Sequence, residues 1–163
     1  KLARRIVEDG HCVATHSYLH NRFEKLEPKK KNAEIAKSAE VLKREIPDLI
    51  SVYCFGSSAQ GYETIESDLD ISYLSEGQIT NIKRWTIQEK IASLLRRDVD
   101  LIVLKTATDV MKFQIINKGV RIFVKDVRKA EQFEDLVYCL YLDLNEQRKG
   151  ILEDIYKRGY VYG

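Results

Sequence analysis

One stretch constrains this chain more than any other: Gly56-Ser57-Ser58-Ala59-Gln60-Gly61-Tyr62-Glu63-Thr64-Ile65-Glu66-Ser67-Asp68-Leu69-Asp70-Ile71. An apolar run, Val52-Tyr53-Cys54-Phe55, leads into a Gly-Ser turn. After residues 58–67, Asp68 and Asp70 alternate around Leu69, and Ile71-Ser72-Tyr73-Leu74 continues as a strand pattern. Side chains two apart in a strand share a face. Asp68 and Asp70 are therefore expected side by side, with Leu69 and Ile71 packed into the opposite face. Two carboxylates held that close favour protonation of one of them. A divalent cation removes the conflict, and hard oxygen ligands suit magnesium. The Gly-Ser turn offers backbone N–H groups and a hydroxyl to a phosphate. Metal beside phosphate is the minimal equipment for phosphoryl or nucleotidyl transfer.

The rest of the composition narrows the class. A chain of 163 residues with 44% apolar side chains supports one ordinary domain and an appendage. A formal charge of +2 argues against a dedicated nucleic-acid binder, so no direct nucleic-acid binding is expected. No apolar run reaches membrane-span length and no signal-peptide pattern is visible, so no membrane association is expected. Cys12, Cys54 and Cys139 are an odd number, far apart and without a CxxC. They predict a reducing, cytoplasmic protein without disulfides, with Cys54 packed as a small hydrophobe.

Along the chain, residues 1–31 read as an N-terminal extension, and the start at Lys1 leaves open whether it is native. Cys12, His16 and His20 fall at helical i, i+4, i+8 spacing, a weak zinc pattern without a fourth ligand. Arg5 and His11 match a loose RNase-like spacing that Gly10 undermines. Glu27-Pro28-Lys29-Lys30-Lys31 reads as a linker and Asn32 as the N-cap of a helix running to Glu45. Leu49 to Phe55 reads as a strand. Residues 79–97 give an amphipathic helix, with Ile82, Trp85, Ile87, Ile91, Leu94 and Leu95 mostly on one side and Trp85 expected in the core. Arg96 and Arg97 suit the end of that helix dipole. Asp98-Val99-Asp100-Leu101-Ile102-Val103-Leu104 predicts a strand buried on both faces, bringing Asp100 near Asp68 and Asp70. A helix over 109–118, stopped at Gly119, and a strand over 120–124 follow. From Val127 the chain is helical, with a stripe of Phe133, Leu136, Val137, Leu140, Tyr141 and Leu144, and Gly150 is expected to bend or break it. The last residues, Arg158 to Gly163, fit either a frayed end or a partner-docking tail.

This element order, with Gly-Ser, a fixed gap and Asp-x-Asp, resembles the DNA polymerase β type of nucleotidyltransferase. The implied class is α/β (α+β), a mixed sheet flanked by helices with a C-terminal helical tail. The implied division is a core over 32–125 and a tail over 126–163. In size the chain resembles the minimal nucleotidyltransferases, and among them the MntA-like antitoxins of type VII-like toxin–antitoxin pairs. That resemblance implies a protein adenylyltransferase. It would transfer AMP from ATP, with Mg2+, to a tyrosine hydroxyl of a HEPN-domain RNase toxin and so neutralise it within a heteromeric complex. Many relatives carry a basic residue where Gln60 stands.

The resemblance also assigns roles. Asp68, Asp70 and Asp100 are the catalytic and metal-binding carboxylates, and Asp100 is also a candidate base for the acceptor hydroxyl. Gly56, Ser57 and Gly61 are the nucleotide-binding positions, and Ser67 orients Asp68. Two other readings stay open here. One is a small-molecule nucleotidyltransferase of the aminoglycoside-modifying kind. The other is a non-enzymatic antitoxin that works by binding alone.

Overall fold

The computed structural model describes residues 29–60 and 67–158, with side chains over 33–59 and 67–150. Gly61, the Cys12, His16 and His20 set, Arg5, His11 and residues 159–163 lie outside the described residues, as does the side chain of Gln60. Among the described residues, five α-helices and four strands follow in the order α1 (Lys29–Glu45), β1 (Leu49–Cys54), α2 (Gly56–Gln60), β2 (Leu69–Ser75), α3 (Asn81–Leu95), β3 (Val99–Val103), α4 (Asp109–Lys118), β4 (Val120–Val124) and α5 (Val127–Arg158). A 3-10 turn, Leu104–Thr106, links β3 to α4.

The strands form one mixed sheet in the order β3-β2-β1-β4. β1 runs antiparallel to both β2 and β4, while β2 and β3 are parallel. Strand β1 is wholly buried, and an irregularity between Leu49 and Ser51 shifts its side-chain phase. Leu49, Val52 and Cys54 thus reach one core, and Ile50 and Tyr53 the other. The first core lies under α1 and α3, with Leu42, Ile46, Ile87 and Ile91 against Leu69, Ile71, Val99 and Leu101. The second lies under α4 and α5, with Ile115, Ile116, Ala130 and Val137 against Tyr53, Phe55 and Leu74.

Several expectations need correction. Helix α1 begins at Lys29, upstream of the proposed cap Asn32, and lysine is a good helix former. Trp85 is not in the core: it is 59% exposed, and Ile82 is 78% exposed. The buried side of α3 is set by Ile87 and Ile91. At 100° per residue, Ile82 and Trp85 point away from that pair. Strand β3 is an edge strand with an alternating pattern at its start, not a strand buried on both faces. Helix α5 continues through Gly150 without interruption. An internal glycine costs a helix only about 1 kcal/mol.

Caps were set by threonines. Thr80 accepts a hydrogen bond from the Lys83 N–H, and Thr108 accepts one from the Met111 N–H. The Gly119 N–H closes α4 on the Ile115 carbonyl. Among the described residues no helix is long and apolar enough to cross a membrane.

Candidate active site

The site is built where β2 and β3 begin. Leu69 pairs with Val99 and Asp70 with Asp100 in parallel register. Paired residues in a parallel ladder place their side chains on the same face. Asp70 and Asp100 therefore stand side by side, while Leu69 and Leu101 bury into the first core. The register decides between the two acids of Asp98-Val99-Asp100. Asp98 precedes the strand, and its carbonyl accepts the Leu69 N–H at 2.9 Å. Asp68 lies one residue ahead of β2, with its side chain exposed, as is that of Asp100.

Gly56 closes the site from the other side. Its φ is +64°, in the left-handed region. A Cβ there would lie 1.9 Å from Asp70 Oδ2. Glycine is needed for both reasons: the backbone must turn, and the Asp70 carboxylate occupies the space. The Phe55 N–H donates to the Asp70 carbonyl at 3.1 Å, which fixes this approach. The Gly-Ser turn of the sequence is thus the start of α2, with Ser57 half-buried and Ser58 fully buried.

Burial pushes the Asp70 carboxyl above its ordinary pKa, and the charges of Asp100 and then Asp68 push the same way. The Arg97 guanidinium acts in the opposite sense. This is the electrostatic state of carboxylates that a cation would relieve. Among the described residues no group of three or more carboxylate, imidazole or thiolate side chains is placed to hold a metal ion, so Asp68, Asp70 and Asp100 do not form a three-carboxylate cage on their own. Magnesium characteristically uses one or two carboxylates and completes its shell with substrate phosphates and water. The donor set present therefore fits magnesium.

Two participants were not legible in the sequence. Arg97 donates to the carbonyls of Ser67 and Asp68, the latter at 3.1 Å. The same guanidinium lies 3.5 Å from Ser58 Oγ and 3.5 Å from the Glu34 carboxylate. Ser58 had no role assigned to it from the sequence. The available signal was an arginine directly after a helix end and three residues before an acid of the site. A cavity of about 470 Å3 lies between β4 and the start of α5, lined among others by Tyr53, Arg121 and Glu134. It contains none of the site carboxylates.

The sequence profile of polymerase beta nucleotidyltransferases matches residues 36–128. The chain belongs to this nucleotidyltransferase family. It is 34% identical over 119 residues to the protein adenylyltransferase MntA of Shewanella oneidensis, covering 73% of this chain and 85% of the relative. A solved toxin–antitoxin structure with AMP-PNP is similar at 33% identity and a TM-score of 0.67, covering 77% of this chain and 98% of that one. A second is the complex of a tri-AMPylated Shewanella oneidensis HEPN toxin with its MNT antitoxin. It matches at 29% identity and a TM-score of 0.66, covering 77% of this chain and 98% of that one. The family match spans β1 through β4, so Gly56, Asp68, Asp70 and Asp100 all fall inside it.

Proposed function

We propose that this protein is the antitoxin of a toxin–antitoxin pair. It transfers AMP from ATP to a tyrosine hydroxyl of a cognate HEPN-domain toxin, in the cytoplasm, and thereby silences it. The observation that carries the reading is the register pairing of Asp70 with Asp100 against Gly56, in a chain of the nucleotidyltransferase family. The relatives supply the acceptor class: one is named a protein adenylyltransferase, and another is bound to an AMPylated HEPN toxin.

Asp70 and Asp100, with Asp68 beside them, would hold magnesium together with the substrate phosphates. When bound, that ion offsets the charge of the triphosphate and of the transition state. The start of α2, at Gly56 and Ser57, holds the β- and γ-phosphates through backbone N–H groups and the Ser57 hydroxyl. The acceptor hydroxyl oxygen attacks the α-phosphorus, the bond from phosphorus to the pyrophosphate oxygen breaks, and pyrophosphate leaves. Asp100 takes the hydroxyl proton, because its exposed side chain can be reached by a group brought in from outside. Exposure of Asp68 and Asp100 supports an acceptor that brings its own surface rather than a small molecule held in a deep pocket.

The test is intact-mass and peptide spectrometry of the cognate HEPN protein after incubation with this protein, ATP and Mg2+. The expected result is an AMP adduct on a tyrosine and loss of the partner's RNase activity. Loss of RNase activity without any adduct would replace the catalytic reading with inhibition by binding.

A further inference from the structure

We propose that Arg97 is the positioning residue of the site, a clamp that sets the distance between α2 and the carboxylates of β2 and β3. The inference rests on the nucleotidyl-transfer reading above. One guanidinium nitrogen, Nη2, meets three groups: the Ser67 carbonyl, the Asp68 carbonyl at 3.1 Å and Ser58 Oγ at 3.5 Å. Its neighbour Nη1 reaches the Glu34 carboxylate on α1 at 3.5 Å. The side chain is only 16% exposed, so these contacts are made largely out of water.

The backbone explains how one residue can do this. Arg96 adopts the left-handed conformation, φ 54° and ψ 47°, and ends α3. The N–H groups of Arg96 and Arg97 both turn back to the Ala92 carbonyl. Arg97 then leads directly into β3, which carries Asp100. Its side chain meanwhile crosses to the two residues just ahead of β2 and to the buried serine of α2. The two carboxylate strands and α2 are thus referenced to one planar group. A guanidinium has five donors in a fixed fork, whereas an ammonium is a point charge on a flexible stem. Lysine would keep the charge and lose the simultaneous contacts. Misplacement of reacting groups by about 1 Å costs on the order of 100-fold in rate. Residues that orient metal ligands typically contribute about 10–100-fold in affinity or activity.

The experiment compares wild type, Arg97→Lys and Arg97→Ala, with folding followed by thermal melting. Two quantities are read: kcat and KM for ATP in AMP transfer to the HEPN partner, and Mn2+-dependent binding of a fluorescent ATP analogue without acceptor. The expected result is a kcat about 100-fold lower in both folded variants and nucleotide binding about 10-fold weaker, with lysine giving no rescue. Wild-type kcat and binding in Arg97→Lys would overturn the clamp, since charge alone would then suffice. So would an Arg97→Ala protein with a lower Tm but unchanged kcat per folded molecule. If Arg97→Ala does not fold, Arg97→Lys decides. If wild type binds the Mn2+–ATP analogue but transfers no AMP, the functional reading fails. The clamp is then decided by binding, with equal affinity in Arg97→Lys overturning it. Wild type that binds no nucleotide overturns both.

Discussion

At the scale of single residues, the site is held by contacts that tolerate little change. Gly56→Ala places a methyl group against Asp70 Oδ2 and forces a positive φ on alanine. It should destabilise the fold by about 1–3 kcal/mol, read as a lower urea midpoint with unchanged slope. Asp70 behaves in the opposite sense. Its carboxyl binds a proton more tightly folded than unfolded, so stability falls as pH rises through and above 3.8, its ordinary value. Asp70→Asn should therefore raise Tm at neutral pH in metal-free buffer, and the gain should shrink as pH falls towards 3.8. A lower Tm for Asp70→Asn at neutral pH would contradict the like-charge account. Asp68, Asp70, Asp100 and Gly56 were legible as candidates because their information is local: acids two apart where a strand starts, and a glycine after an apolar run. Arg97 was not. Beside Arg96 it reads as a helix-dipole partner, whereas its contact with Asp68 spans 29 residues of chain.

At the scale of elements, α5 is fastened to the sheet by a buried polar cluster. The Tyr53 hydroxyl donates to Glu134 at 2.7 Å, and Arg121 of β4 donates to the same carboxylate oxygen at 3.0 Å. Glu134 is 4% exposed, and its charge, after burial, pushes the Tyr53 hydroxyl further above its ordinary pKa. Removing one member leaves a mostly buried arginine without its counter-charge. Glu134→Ala should cost about 3 kcal/mol, measured by chemical denaturation, while Glu134→Gln should cost less because it keeps one acceptor. A Glu134→Ala protein as stable as wild type would show that the cluster contributes no fastening. Strand and helix positions were readable from hydrophobic period, but facing was not. Ile82 and Trp85 counted towards an apolar stripe on α3, yet the sheet meets the side defined by Ile87 and Ile91. Period identifies a helix; only tertiary packing chooses among its apolar residues. The apolar run of β3 misled in the same way, since a run without polar breaks occurs at a sheet edge as well as its centre.

At the scale of the whole molecule, the sheet is covered on both faces and the carboxylates sit where its two parallel strands start. Helix α5 is 32 residues long, and its described core contacts lie in its first half. Tyr141 still stacks on Phe113 at 3.6 Å, but residues 145–150 are all exposed. Ending the chain after Leu144 should therefore leave the unfolding free energy of the core, measured by urea titration, within about 0.5 kcal/mol of wild type. A larger loss would place the far half of α5 in the fold itself. Family and fold were readable from the order of elements around the motif, because each element carries its own period and stop signals. The sheet order was not derivable from period and rests on long-range pairing. The central claim is that this carboxylate pair, framed by Gly56, transfers AMP to a partner protein. Labelled ATP, Mg2+ and the cognate HEPN protein, incubated with wild type, Asp68→Ala and Asp70→Ala, test it most directly. The account predicts label on the partner with wild type, none with chelator present, and at least a 100-fold lower rate in either variant. Transfer at near wild-type rate by Asp70→Ala would contradict it.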